Sequence, residues 1–549
     1  MTVQDWQDIA AGKKQAVDDS IPPEWRLGKI PSVEEVRNAR EFIEEALTKE
    51  EREITNLPIK ELSGKLASRE LTSVAVTRAF CHRAALAHQL TTCCSEIFFD
   101  RALQKAQELD EFLMKEGKTI GPLHGVPISL KDQVNLEGID SAIGYVSLVN
   151  KPKSKDEVSN IATILEDAGA VFYVKTTTPM AMMAATTVSN IYGYTLNAYN
   201  RKLTSGGSSG GEGALIGARG SLIGLGTDLG GSIRTPSMFQ GLYGLRPSSN
   251  RLPYCKVTNS YANAPIICSV IGPISWDLDA LELLTKVVLE AKPWLKDPKV
   301  PPIPWRDVRS TYPKKLSFAM LTGNGLGRLH PPIERALKLA RQALEAQGHQ
   351  VIEWAPPVSV VECRKFSAGV FSSDSYKEIV DECSKSGEPL VKAVFSLAGT
   401  SGGLPKGVSH IHEHWDQAKT KYEYQQLVDA YWQSTASETT TGRPVDAVIM
   451  PQWESCSFKP DDLALFSRSY SVATNVLDYA CVVTPVTVAD KYIDVKDESY
   501  IPLNDHDQKL YDYYDAELFD GVPAGVQVVT PRYEEERALY LSSVLRDAL

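Results

Sequence analysis

The chain reads as one large α/β domain, residues 58–549, behind a helical N-terminal extension, residues 1–57. Three observations point there. Short β-branched and aromatic runs alternate with segments whose apolar residues recur at helical spacing, the pattern of strand–helix–strand units with parallel pairing. No repeat of fixed period occurs, which argues against a solenoid or propeller. No Gly/Ser/Pro linker divides the chain cleanly, so its 549 residues stay together although about 100–200 residues per domain is usual.

The elements follow in order. Glu34 to Glu53 is rich in Glu and Arg without alternation and predicts helix that packs on the main body. Thr72 or Ser73 can cap a helix whose apolar stripe is Val76, Ala79, Phe80, Ala84 and Ala87. Ala170 to Val174 reads as a buried strand, rich in β-branched and aromatic side chains. Leu316 to Leu321 is a further strand. Ile333, Leu337, Ala340 and Leu344 mark the helix after it, Gly348 ends that helix, and Val351-Ile352 opens the next strand. Val445 to Met450, Cys481 to Val486 and Gly525 to Val529 are further short apolar runs, and Pro298 to Trp305 reads as a surface connection.

Composition narrows the function classes. Apolar residues at 43% and charged residues at 23% are an ordinary globular mix, which excludes a disordered chain, a collagen and a small disulfide scaffold. Lys+Arg of 58 against Asp+Glu of 69 gives a net charge of −11 with no basic block, a poor match to nucleic acid, whose binding rests on phosphate neutralisation. The most apolar region, Ala214 to Leu225, is interrupted by Arg219 and glycines and falls short of the ~18–20 residues of a membrane span. The N-terminus lacks an apolar core for a secretory signal. Nine cysteines are sparse and odd-numbered, and Cys93-Cys94 is adjacent rather than C-x-x-C, so neither a zinc nor a redox motif is expected. A reduced, cytoplasmic setting follows as the expectation. His410, His412 and His414 alternate but lack the H-E-x-x-H spacing, and their surroundings read as a loop opening a helix, so no metal site is expected there.

Ser205 to Ser232 stands apart, with eleven glycines. Glycine loses more conformational freedom on folding than any other residue, so this density calls for close approach of backbone to a ligand or another segment. Gly206 and Gly211 have Walker A spacing, but Glu212-Gly213 stands where Lys-Ser/Thr is required, and a carboxylate would repel phosphate. Gly224-Leu225-Gly226 fails the dinucleotide fingerprint, with Leu229 at the third glycine. Gly206 to Gly210 matches G-x-S-x-G, but Asn200 to Thr204 is a poor buried strand, and none of the nine histidines has a context that singles it out as the base. The remaining reading uses Ser208 and Ser232. Gly230-Gly231-Ser232 offers successive backbone N–H groups beside a hydroxyl, the local chemistry of an oxyanion hole next to its nucleophile. Ser232 also reads as an N-cap for a helix from Ile233. Upstream, Lys131 ends the short apolar segment Val126 to Leu130, and burial there would favour the neutral amine as base, a replacement for histidine in Ser–Lys enzymes.

Together Lys131, the Gly206-Gly207-Ser208-Ser209-Gly210-Gly211 run and Asp228-Leu229-Gly230-Gly231-Ser232-Ile233-Arg234 resemble the amidase signature family. The likeness covers roughly residues 58–545, with Gly521 to Gln527 closing it, and the N-terminal extension together with Tyr243 to Ser248 is most similar to the fungal acetamidase branch. It implies an α/β/α fold around a large central mixed sheet and a Ser-Ser-Lys triad: Ser232 as nucleophile, Ser208 as bridge on a cis peptide, Lys131 as terminal base. It further implies N–H groups from Leu229 through Gly230 and Gly231 to Ser232 as oxyanion donors, Met182 lining the acyl site, and Asp228 and Arg234 bracing the glycine loop. No metal or organic cofactor is needed. The implied reaction is hydrolysis of a carboxylic amide, with short aliphatic amides such as acetamide favoured. A larger aryl-acetamide, a fatty amide or a secondary-metabolite intermediate is the alternative. Other readings are a glutamine-hydrolysing subunit of a tRNA amidotransferase, an α/β-hydrolase esterase, and a catalytically silent binding protein on the same fold. The expected partner is a small amide, with no nucleic acid and no membrane, and a homodimer stays open. The chain departs from many relatives at Ala198, where they carry proline after Asn197, which puts that loop's shape in question.

Overall fold

A computed structural model describes residues 5–262, 264–394, 407–408 and 410–549. Eleven strands form one sheet in the order β1-β3-β2-β6-β8-β7-β12-β13-β11-β9-β10. They are β1 Cys94–Ile97, β2 Pro127–Lys131, β3 Val171–Thr176, β6 Ile223–Asp228, β7 Tyr243–Arg246, β8 Val270–Ser275, β9 Ser317–Met320, β10 Gln350–Glu353, β11 Ala447–Met450, β12 Ala480–Val488 and β13 Pro523–Thr530. A separate two-stranded pair joins β4 Val188–Ser189 to β5 Gly193–Tyr194. Pairing is parallel for β3-β2-β6 and for β11-β9-β10, and antiparallel through the middle of the sheet. This is the mixed sheet that the resemblance implies. The expected strand–helix–strand unit is β9, the helix Pro331–Ala346 and β10, with Val351 opposite Phe318 in parallel register.

Central strands are buried along their whole length, as in β2, β3 and β8. Helices cover the sheet and divide the core into two main apolar clusters, one around β2, β3 and β6, the other around β9, β11 and β13. The helix Ser73–Thr91 starts at Thr72, whose hydroxyl accepts from Ala75 N at 3.0 Å, so Thr72 rather than Ser73 is the cap. Pro298 to Trp305 is an irregular connection, fastened where Arg251 donates to Ile303 O. No helix among the described residues is long and apolar enough to cross a membrane.

The extension is helical, with Trp6–Asp19, Ala39–Ala46 and Lys49–Thr55, and it is stitched to the main body. Ala39, Ile43 and Ile54 are buried in the same apolar cluster as β2 and β3. Fully buried Arg83 donates to Thr55 Oγ1 and Ala218 O, both at 2.8 Å, and pairs with Glu44. Ala198 receives this arm through its carbonyl, which accepts Ala39 N at 2.9 Å, while its own N–H donates to Gln240 Oε1 at 3.2 Å. Proline has no N–H for that second bond, so alanine suits this loop.

The site is set by the carboxyl ends of β2 and β6, which run parallel with Leu130 opposite Leu225. Lys131 ends one strand and Asp228 ends the other. Ligands of open α/β sheets commonly bind just beyond such ends.

Candidate active site

The helix Gly210–Gly217 forms from a sequence of low helix propensity because it is wedged against the sheet. A Cβ on Gly211 would lie 2.4 Å from Thr177 N, and one on Gly210 would lie 2.2 Å from Thr187 Oγ1. Only glycine allows this approach, and it holds Ser208 and Ser209 over the ends of β2 and β6. The Gly207–Ser208 peptide is cis.

Lys131 is completely buried, and its Nζ donates to Ser208 Oγ at 2.8 Å and to Thr227 Oγ1 at 2.7 Å. Thr227 passes its own proton to Gln133 Oε1 at 2.6 Å, which fixes its oxygen as an acceptor for the lysine. Burial pulls the Lys131 amine down to about 7, against the opposing charges of Asp228, Glu212 and Asp132. Glu212, also buried, is itself pushed up to about 8, where it accepts from Ser129 and Thr176 hydroxyls.

Ser232 is partly exposed to a cavity of about 320 Å³ that Met182, Gly207, Leu229 and Gly230 also line. Its carbonyl accepts Ser209 N at 3.1 Å, tying the two serine segments together. No hydrogen bond joins Ser208 Oγ to Ser232 Oγ. The structure therefore brings Lys131 to Ser208 and places Ser232 beside them without closing that contact. Ser232 is not the helix cap expected of it. The helix begins at Arg234, Ile233 occupies the cap position, and Asp228 accepts Ile233 N at 3.1 Å.

Asp228 organises the loop. It accepts Gly231 N at 2.8 Å, Asn475 Nδ2 at 2.8 Å, and both Nε and Nη2 of Arg234 at 3.0 Å. Burial opposes its charge, but the Arg234 guanidinium and these donors hold the carboxyl well below the usual carboxylate range. Arg234 continues to Ser471 O, Thr474 Oγ1 and Gln527 Oε1. The set of expected oxyanion donors is thereby reduced: Gly231 N–H is occupied by Asp228, while the N–H groups of Leu229, Gly230 and Ser232 meet no protein acceptor among the described residues. Met182 borders the cavity with φ of 57° and Ala181 with φ of 60°, a left-handed pair that turns this segment around the opening.

Sequence reasoning missed Thr227 and Gln133 beside the lysine, Ser471 and Asn475 behind the loop, and Arg364 and Arg468 in the cavity wall. Thr227 sits directly before Asp228 and was within reach of a closer reading. The others come from distant segments with no local pattern.

One cluster could hold a metal among the described residues: His88, Cys93 and Cys94, with ligand atoms all within 4.8 Å. Both ring nitrogens of His88 are engaged, Nδ1 by Cys94 N at 3.0 Å and Nε2 by Asp18 Oδ1 at 3.1 Å. His410, His412 and His414 open the helix Ile411–Ser434 and form no such group.

Known proteins resemble the chain along most of its length. The profile described as Amidase matches residues 75–539. The chain is 40% identical to a protein named acetamidase from Aspergillus oryzae over 546 residues, covering 98% of this chain and 97% of that one. It is 40% identical to the acetamidase of Emericella nidulans over 549 residues, with the same coverage of each chain. Among solved structures, a fatty acid amide hydrolase superposes with a TM-score of 0.92 at 33% identity, covering 99% of this chain and 95% of its own.

Proposed function

Because this chain belongs to the Amidase family and is a hydrolase of amide carbon–nitrogen bonds, we propose that it cleaves a carboxylic amide to acid and ammonia through Ser232, Ser208 and Lys131. The observation that carries this reading is the buried Lys131 amine, lowered to about 7 and donating to Ser208 Oγ at 2.8 Å. Neutral Lys131 takes the Ser208 proton as Ser208 takes that of Ser232, and Ser232 Oγ attacks the amide carbon. The oxyanion forms beside the uncommitted N–H groups of the Leu229–Ser232 loop, where one such donor typically contributes ~100–1,000-fold in rate. Collapse expels the nitrogen, which receives a proton from Ser208 as Lys131 returns one to Ser208. Water then attacks the acyl–Ser232 ester by the same relay, releasing acid and restoring the serine.

Short aliphatic amides such as acetamide are the favoured substrates, supported by the names of the two fungal relatives at 40% identity. A second reading, a larger acyl group, is favoured by the cavity of about 320 Å³. That volume falls at the lower end of sites for drug-sized ligands, roughly 300–1,000 Å³, and acetamide would leave most of it empty. A cytoplasmic location and a homodimer remain part of the proposal; nine free cysteines support the first. Ammonia release from a graded panel of amides tests the function. Ser232→Ala and Lys131→Ala should both abolish release, and release that survives both substitutions overturns the reading.

A further inference from the structure

The wall of the catalytic cavity holds two guanidiniums that the acyl-transfer chemistry does not use. Arg364 lies on the helix Val360–Phe371 and Arg468 caps the helix Ser469–Leu477, and both line the cavity that Ser232 faces. Among the described residues neither forms an ion pair. Arg364 donates through Nε to Ser467 O at 3.0 Å, while Arg468 Nε is buried with no hydrogen-bond partner at all. A buried guanidinium N–H without an acceptor is unfavourable unless something else supplies one.

The two arginines also repel each other, and burial together with that repulsion lowers Arg468 to about 9. The nearby carboxyl, Glu454, favours the charge of both guanidiniums but forms an ion pair with neither. It accepts from Ser467 Oγ, and burial raises its own pKa. Two features of the backbone strengthen the field. Arg468 has φ of 61°, a left-handed conformation uncommon for a residue with a side chain and concentrated at functional sites. It also stands at a helix N-terminus, where the dipole disfavours a cation and favours an anion. Around them the wall is apolar, with Ala368, Phe371 and Val472, so water screens the charge poorly.

We propose that Arg364 and Arg468 form an anion subsite within the catalytic cavity, and that the substrate is an amide carrying a carboxylate which meets these guanidiniums while its amide group meets Ser232. The planar fork of arginine matches a carboxylate through two parallel hydrogen bonds. The proposal rests on the reading of Ser232 as nucleophile. It moves the substrate from acetamide to a longer amide whose far end is acidic, such as the monoamide of a linear dicarboxylic acid.

The test compares monoamides of linear dicarboxylic acids, from three to eight carbons, with neutral primary amides of equal length. At the best length the carboxylate-bearing amide should exceed its neutral partner at least tenfold in kcat/KM, mainly through KM. Arg468→Gln and Arg364→Gln should each bring that ratio to within a few-fold of one, and Arg468→Lys should keep part of the preference. A neutral amide equal to or better than its acidic partner at every length overturns the proposal, as does a preference untouched by both glutamine substitutions. Calorimetry on Ser232→Ala separates this subsite from the reaction. Tighter binding of the acidic amide, weakened by Arg468→Gln in the same background, upholds the subsite even if no amide is turned over. Equal binding of the acidic and neutral amides rejects it.

Discussion

In the proposed mechanism Lys131 is the residue on which the chemistry turns. A lysine that titrates near 10.5 in water is almost wholly protonated at neutral pH, and a protonated amine accepts nothing. Burial brings Lys131 down to about 7, which makes the base form accessible near neutral pH. Because the neutral amine is the reactive form, kcat/KM should rise about tenfold per pH unit on the acid side and level off above about 7. A profile flat from pH 5 to 8 would contradict this. Lys131→Ala should reduce kcat/KM by ~10²–10⁴-fold, the usual contribution of a positioned general base. Lys131, Ser208 and Ser232 were legible in the sequence as candidates because a run this rich in glycine has no structural economy of its own, and the spacing of three motifs is specific. Thr227 and Gln133 were not, because a threonine in a strand and a glutamine after one look like any others. Arg364 and Arg468 sit in unremarkable local contexts, and only the fold brings them to one cavity.

At the scale of elements, the loop after β6 is held by the Asp228–Arg234 pair and the helix Ser469–Leu477 behind it. Arg234→Ala would leave Asp228 buried without its counter-ion, a loss of about 3–5 kcal/mol in unfolding free energy, measurable by urea denaturation. Asp228 has its carboxyl depressed below the 3.8 of a free aspartate, so its stabilisation is present above that value and is lost as pH falls below it. Gly231→Ala should abolish turnover. Gly231 has φ of 118°, and an added Cβ would lie 1.8 Å from Ser471 Oγ, which donates to Gly230 O at 2.9 Å. Substitution there must move the N–H groups proposed to bind the oxyanion, and a Gly231→Ala protein with wild-type kcat would refute this role for the loop. Strands β3, β9, β11, β12 and β13 were visible as apolar runs. β8 was not, because Gly272 and Pro273 interrupt its pattern, and it forms through antiparallel pairing with both β6 and β7.

Across the whole molecule, the N-terminal extension behaves as part of the core. Its helices bury Ala39, Ile43 and Ile54, and they satisfy Arg83, which otherwise would be a charge without a carboxylate. A chain beginning at residue 58 should therefore express poorly or aggregate, and its soluble fraction should unfold at a lower temperature than the full chain by thermal denaturation. The large mixed sheet joins two halves of different character, β3-β2-β6 carrying the serine and lysine segments and β11-β9-β10 at the opposite end. The cavity draws on both sides of this arrangement, with Met182 and Ser232 from the first part of the chain and Arg364, Arg468 and Val472 from the second. Its proposed nucleophile was readable from motifs in the first part, while the arginines of the proposed anion subsite come from the second, and no spacing rule links the two.

The central claim is that Ser232 carries the acyl group. Rapid acid quenching during turnover, followed by mass spectrometry of the intact protein and its peptides, tests it most directly. A mass increase equal to the acyl group is expected, located on Ser232 and absent in Ser232→Ala. Turnover with the acyl group on another residue, or with undiminished rate in Ser232→Ala, would contradict it.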